Sequence, residues 1–162
     1  MAFTVVYDAC VLHPATLRDL LVRLAATDLF RARWSNHILD EMVNSVLRRR
    51  SDLTLAQLER TRRLMCDAVR DCVVTGYEPL IETIELPDPD DRYVVAAALR
   101  CGAQVIVTNN TNDFPPAALA SFGLEAQTAD EFVLKRDRPG ADPSRRGRAN
   151  TSGCVAQPAT SA

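Results

Sequence analysis

The sequence has few of the residues on which zinc, redox and disulfide sites depend. Only two of its 162 residues are histidine, and its five cysteines form no CxxC pair. Two separated histidines do not form a zinc-binding pattern or a convincing nucleophile pair, and an odd number of cysteines does not suit a disulfide framework. The sequence therefore predicts reduced thiols in a cytoplasmic protein and leaves its carboxylates as the candidate metal ligands.

Long hydrophobic runs are also missing. No apolar stretch approaches the roughly 20 residues that a membrane-spanning helix needs. The N-terminus has no basic region ahead of an apolar run, so we expect no signal peptide and no membrane partner. Hydrophobic residues make up 47% of the chain and charged residues 25%, which is ordinary for a soluble domain with a real core.

Acidic side chains are present where predicted strands end and predicted helices begin. Asp8 closes a β-branched run, Asp113 follows a second apolar strand, Asp91 precedes an alanine-rich helix, and Glu41 lies inside a helix. Because the carboxyl ends of parallel strands meet at one edge of a sheet, such acids can form an oxygen cage for a hard divalent cation. That cage suits metal-dependent cleavage of phosphodiester bonds.

The hydrophobic pattern alternates between strands and helices, which predicts an α/β fold with a parallel sheet covered on both faces. The predicted strands are 3–7, 30–33, 82–86, 104–108 and a last one around residue 125. The predicted helices are 15–27, 36–49, 54–72, 89–101, 116–121 and 129–136.

The composition changes beyond about residue 137. The stretch 138–162 contains three prolines, three glycines and only one large aliphatic residue, Val155. Such a segment cannot bury enough surface to fold alone. We therefore predict one folded domain over 1–136 and a disordered tail over 137–162.

The charges are unevenly distributed along the chain. Residues 1–75 carry eleven arginines against nine acids, whereas residues 76–131 carry two arginines against ten acids. An acidic pocket flanked by arginine-rich helices would suit a nucleic-acid backbone. The alternative is that these arginines form an ordinary solvated helix face.

Four motifs in a fixed order resemble PIN-domain proteins, and in particular the toxin components of bacterial toxin–antitoxin pairs that are related to the VapC ribonucleases. The resemblance spans roughly residues 3–135. Its motifs lie at 5–8, 35–41, 87–98 and 102–115.

This resemblance implies a three-layer fold, with a central parallel sheet flanked by helices, and a Mg²⁺- or Mn²⁺-dependent ribonuclease. Asp8, Glu41 and Asp91 match the first three acids of the family. Many relatives have an aspartate where this chain has Asn110, and Asp113 can supply the missing charge. The expected catalytic and metal-binding set is therefore Asp8, Glu41, Asp91 and Asp113.

Three further residues are expected to support these ligands, namely Asp90, Thr108 and Asn110. Thr108 ends its strand beside the expected pocket, where its hydroxyl can bond a ligand carboxylate or a substrate phosphate. The resemblance also implies an RNA substrate, a cognate antitoxin protein and a homodimer.

Each acid also has a purely structural explanation. Asp88 is a good helix N-cap, Asp91 complements a helix dipole, Asp113 could form an Asx-turn, and Glu41 taken alone would be a surface residue. Separately, His37 is expected in a surface or capping role, and Trp34 in the core or at an interface rather than as a base-stacking platform. Cys10 is expected as a small buried residue, with a place in the site wall as the alternative because it follows Asp8 by two positions.

Two other functions remain open from the sequence. A domain that has lost catalysis and serves as a binding or regulatory partner is favoured by Asn110 in place of an acid. A metal-dependent phosphatase acting on small phosphate esters would share the acidic site, although the chain has no recognisable nucleotide-binding loop.

Overall fold

The structure, a computed structural model, describes residues 3–137 of the chain. Apart from Asp137, the predicted tail lies outside the described residues. The strands are β1 Thr4–Tyr7, β2 Arg31–Ser35, β3 Val73–Val74, β4 Val105–Val107 and β5 Glu125–Gln127. The α-helices are α1 Ala9–Leu12, α2 Ala15–Ala25, α3 Asn36–Arg49, α4 Leu55–Ala68, α5 Glu78–Ile81, α6 Arg92–Cys101, α7 Pro116–Ala120 and α8 Ala129–Asp137.

The five strands form one parallel sheet in the order β3-β2-β1-β4-β5. In the register, Val6 of the central strand lies opposite Arg33 of β2 and Ile106 of β4. All four residues of β1 are buried, as expected for a parallel strand covered on both faces. The predicted α/β fold, with a central parallel sheet flanked by helices, is confirmed.

This strand order determines where a site can form. Within the sheet, β2 and then β3 lie on one side of β1, whereas β4 and then β5 lie on the other side. Where the strand order reverses in this way, a crevice opens at the carboxyl ends of the strands. The first residue beyond β1 is Asp8, and the first beyond β4 is Thr108.

Aromatic packing fixes one end of the core. Trp34 of β2 is fully buried, as predicted, and its ring stacks against Tyr7 with centroids 6.1 Å apart. Phe132 of α8 meets Tyr7 edge-on at 6.1 Å and Phe30 edge-on at 5.0 Å. These contacts attach the last described helix to the end of β1 and to the residue just before β2.

Two predicted elements differ from the observed ones. The helix predicted over 54–72 ends at Ala68, and a left-handed residue, Asp71, leads into the short strand β3. The strand predicted over 82–86 does not form; the helix α5 lies just before it. Thr83 and Ile84 donate their amides back to the carbonyls of that helix, which keeps this part of the segment in a turn.

None of the helices within residues 3–137 is both long and apolar enough to cross a membrane.

Candidate functional site

Asp8 is the carboxylate at the centre of the crevice. It directly follows the buried strand β1, its amide donates to the carbonyl of Val107 at 3.0 Å, and only 7% of its surface is exposed. One of its oxygens, Oδ1, accepts a hydrogen bond from the amide of Ala9 at 2.8 Å, so Asp8 caps the short helix α1. A carboxylate held in this way has a fixed orientation.

The second oxygen of Asp8 is bound by two side chains. The hydroxyl of Thr108 donates to Oδ2 at 2.9 Å, and the thiol of Cys10 donates to the same atom at 3.4 Å. Thr108 is completely buried. The expected hydrogen bond between Thr108 and a candidate ligand carboxylate is therefore present, and it ties the end of β4 to the end of β1.

Asp91 reaches the crevice from the start of α6. A short 3₁₀ turn, Pro89–Asp91, precedes this helix, and the carboxylate of Asp88 caps the turn by accepting a hydrogen bond from the amide of Asp90 at 2.9 Å. The cap predicted for Asp88 is thus observed. Because the backbone is fixed at this turn, Asp91 is held half-buried at the N-terminus of α6.

Asp113 enters from the loop after β4. It ends a second 3₁₀ turn, Thr111–Asp113, and its amide donates to the carbonyl of Asn110 at 2.9 Å. Asn110 is exposed, and its own amide donates to the hydroxyl of Thr108 at 3.1 Å. The backbone of Asn110 therefore connects the Thr108 hydroxyl to the turn that carries Asp113.

The electrostatic effects show which of these groups are close. Burial, opposed by three hydrogen bonds and assisted by the charge of Asp113, raises the pKa of Asp8 above its usual range. Burial, followed by the charges of Asp8 and Asp113, raises the pKa of Asp91 to about 6. Three of the four candidate acids thus act on one another, and the crevice is an acidic centre.

Glu41 is connected to this centre through Tyr93. Burial raises the pKa of the Tyr93 hydroxyl, and the charges of Asp8, Glu41 and Asp91 raise it further. Glu41 is half-buried in α3 and Tyr93 is 8% exposed in α6. The charges of all three carboxylates therefore act on the Tyr93 hydroxyl.

The donor set fits a hard divalent cation by its chemistry, because carboxylate oxygens are the ligands that Mg²⁺ and Mn²⁺ prefer. A buried carboxylate with a raised pKa is also destabilised as an anion, and a bound cation would relieve that cost. Within the described part of the chain, however, no three His, Cys, Asp or Glu side chains stand together closely enough to hold one metal ion. A bound ion would thus need these side chains to move closer together.

Sequence reasoning gave too little weight to two contributions to this site. It took Cys10 for a small buried residue, yet this thiol contacts both Asp8 and Thr108, and burial and the Asp8 charge raise its pKa to about 11. It did not pair His37 with Tyr93, whose rings stack with centroids 3.7 Å apart. The contact between Cys10 and Asp8 joins residues two positions apart and has a local signal. The contacts of Cys10 with Thr108 and of His37 with Tyr93 join residues far apart in the sequence, and no local signal could have found them.

The remaining predicted residue, Asp90, is exposed, and its backbone amide is used by the Asp88 cap. Its charge contributes weakly to the raised pKa of Asp91, after those of Asp8, Asp113 and Asp88. Asp90 therefore lies at the rim of the acidic centre.

Two comparisons place the chain among known proteins. A family model described as PIN domain matches residues 4–112. A relative from Mycobacterium tuberculosis, named "Putative ribonuclease VapC50", is 42% identical over 59 residues, which is 36% of this chain and 34% of the relative. The chain thus spans about a third of the length of that relative.

Proposed function

This chain belongs to the PIN domain family, and on that premise we propose that it is a ribonuclease that hydrolyses RNA phosphodiester bonds with Mg²⁺ or Mn²⁺ at the acidic centre. The observation that carries the proposal is the electrostatic coupling of three carboxylates around the end of the central strand. Asp8 and Asp91 both have raised pKa values, and the charge of Asp113 contributes to both shifts.

Asp8, Asp91, Asp113 and Glu41 are the residues that would hold the metal. A divalent ion bound there would lower the pKa of a water molecule and offset the negative charge of the phosphate. Thr108 and Ala9 fix the orientation of the Asp8 carboxylate, from which it would contribute an oxygen. Asp91, with a pKa of about 6, is ionised at neutral pH and becomes protonated below it.

The proposal extends to partners through the resemblance to the VapC ribonucleases. We propose that the chain is the toxin of a toxin–antitoxin pair, that it is neutralised by a cognate antitoxin protein, and that it acts in the cytoplasm as a homodimer. Expression of the chain in cells should then arrest growth, and coexpression of a small neighbouring gene from the same operon should relieve the arrest. Growth unaffected by active enzyme would remove the toxin assignment.

The deciding experiment incubates purified protein with total cellular RNA and Mn²⁺. We expect discrete RNA fragments from the wild type and none after addition of EDTA or with the Asp8→Asn, Asp91→Asn double variant. A matched control is Asp19→Asn, which removes an acid from an exposed pair with Arg23 on α2. This control should cut RNA like the wild type.

Each outcome has a distinct meaning. If every variant is folded and the RNA stays intact with all of them, the nuclease is rejected. A binding or regulatory domain, which Asn110 in place of an acid favours, would then be the better explanation. Hydrolysis of a small chromogenic phosphate ester without RNA cleavage would favour a phosphatase. Identical fragments from the wild type and the double variant would reject the acidic centre as the site of cleavage.

A further inference from the structure

An aromatic pair lies beside the acidic centre. The imidazole of His37 stacks on the ring of Tyr93, with centroids 3.7 Å apart and planes inclined by only 14°. The two members differ in exposure: Tyr93 is 8% exposed, whereas His37 is exposed to solvent. The pair therefore consists of a buried ring covered by a flat ring at the surface.

The pair also joins the two helices that carry candidate ligands. His37 lies in the first turn of α3, and Glu41 follows it four positions later, which places both on the same side of the helix. Tyr93 lies in α6, two residues after Asp91, and the charges of Asp8, Glu41 and Asp91 raise the pKa of its hydroxyl. A ligand lying on His37 would therefore lie next to the carboxylates.

We propose that the His37–Tyr93 pair is a nucleobase-binding subsite, on which a base of single-stranded RNA stacks when its backbone enters the acidic centre. This subsite deepens the proposed function, since it rests on RNA being the substrate. Proteins bind unpaired bases by stacking them on flat side chains, including histidine, and such contacts tolerate different bases because every base has an aromatic face.

The charges around the pair favour a base over a phosphate as its occupant. The charges that raise the pKa of Tyr93 come from Asp8, Glu41, Asp91 and Tyr77, which are all acidic or phenolic. A phosphate placed there without a cation would be repelled, whereas an uncharged base would not. Arg62 donates to the carbonyl and the side chain of Asn36, next to His37, but its charge is paired with Asp40. The arginines Arg48, Arg49 and Arg50 lie at the other end of α3, where they could contact the backbone further along the strand.

The test measures binding without cleavage. Fluorescently labelled eight-nucleotide RNAs of adenosine, cytidine or uridine are titrated in Ca²⁺, which binds carboxylate oxygens, beside an eight-unit ribose phosphate that lacks bases. Gel electrophoresis verifies that the RNA stays intact. We expect the wild type to bind at least one of the RNAs about ten-fold more tightly than the abasic chain. His37→Ala should lose that preference, and His37→Phe should keep it because phenylalanine preserves a flat ring.

The other histidine provides the matched control. The charges that act on His13 are those of Arg49 and Arg18 rather than the acids of the crevice, so His13→Ala should retain the preference of the wild type. Circular dichroism verifies the fold of each variant. Equal binding of RNA and abasic chain by the wild type, or an undiminished preference in His37→Ala, would overturn the subsite.

His37→Phe separates stacking from other roles of the imidazole. If this variant lost the preference as completely as His37→Ala, hydrogen bonding by His37 rather than stacking would explain binding, and the proposal would be wrong. The outcome is also distinct from that of the RNA cleavage experiment. Cleavage with no effect of His37→Ala on binding would reject the subsite alone, and base-dependent binding without cleavage would reject only the nuclease.

Discussion

Thr108 is the residue on which the state of Asp8 depends most directly. Burial disfavours the charged form of Asp8, and the hydrogen bond from Thr108 is the largest of the effects that oppose it. The same hydroxyl accepts a hydrogen bond from the backbone amide of Asn110. One buried threonine therefore keeps the central carboxylate oriented and more easily ionised, and it links this carboxylate to the loop of Asp113.

Removing the Thr108 hydroxyl should weaken metal binding. Thr108→Val keeps the shape of the side chain but leaves an oxygen of Asp8 with less hydrogen bonding, so the pKa of Asp8 should rise further. Loss of a partner that orients a metal ligand typically lowers metal affinity about 10- to 100-fold. Titration calorimetry with MnCl₂ at pH 7 measures this change.

Thr108→Ser is the matched control, since it retains the hydroxyl and should bind Mn²⁺ like the wild type. Equal Mn²⁺ affinity for Thr108→Val and the wild type would show that the hydrogen bond from Thr108 to Asp8 does not contribute to metal binding.

Among the elements, the proposed homodimer would need an exposed apolar face, and α3 and α4 are two long helices that carry apolar residues. The apolar stripe of α3 is instead buried in the core of the same chain, at Ile38, Leu39, Met42, Val43 and Val46. On α4 the buried side consists of Leu58 and Met65, while Leu55 and Leu64 remain 56% and 57% exposed. Of these two helices, α4 thus has the more suitable surface for a second copy.

The two exposed leucines allow this to be tested. They lie nine positions apart, which at about 100° per residue places them on opposite flanks of the buried side of α4. If the proposed dimer uses one flank, light scattering should give twice the 17.8 kDa of one chain for the wild type. Of Leu55→Glu and Leu64→Glu, one should then give a monomer and the other should stay dimeric.

Each variant serves as the control for the other, because both place one glutamate at an equally exposed position. A monomeric wild type at micromolar concentration would reject the dimer. A wild-type dimer that neither variant dissociates would exclude α4 from its interface.

For the whole molecule, the acidic centre makes stability depend on pH. Asp91 keeps its proton in the folded state up to about pH 6, whereas its ordinary pKa is 3.8. Between these values the folded state binds more protons than the unfolded state, so the free energy of unfolding rises as the pH falls. The shift at Asp8 has the same direction.

We therefore expect the free energy of unfolding of the metal-free protein to increase as the pH falls from 7 to 5. Asp91→Asn should remove part of this dependence and stabilise the protein at pH 7 by on the order of 1 kcal/mol, or roughly 3 °C in Tm, after allowance for the partial exposure of Asp91. Thermal unfolding in EDTA at pH 5, 6 and 7 measures both effects.

Asp19→Asn again serves as the control and should leave the pH dependence unchanged. If Tm were higher at pH 7 than at pH 5 and Asp91→Asn did not alter that difference, the carboxylates would not be coupled as described.

Much of this architecture follows from local patterns. A buried β-branched run predicted β1, the sequence around Ser35 predicted a helix over 36–49 with bounds that agree with α3, and Asp88 was expected to act as a cap. The strand β3 could not be predicted in this way. It has only two residues, which is too short to show an alternating pattern, and it pairs with a strand far away in the sequence.

The sequence by itself determined most of the alternation of strands and helices and the positions of Asp8, Asp91 and Asp113 at element ends, because hydrophobic periodicity and capping depend on neighbouring residues. Only the tertiary structure decided which side chains meet. Thr108 reaches Asp8 across 100 positions, and His37 covers Tyr93 from another helix. These contacts depend on the order of strands in the sheet and on the way α3 and α6 pack against it, which no local pattern contains.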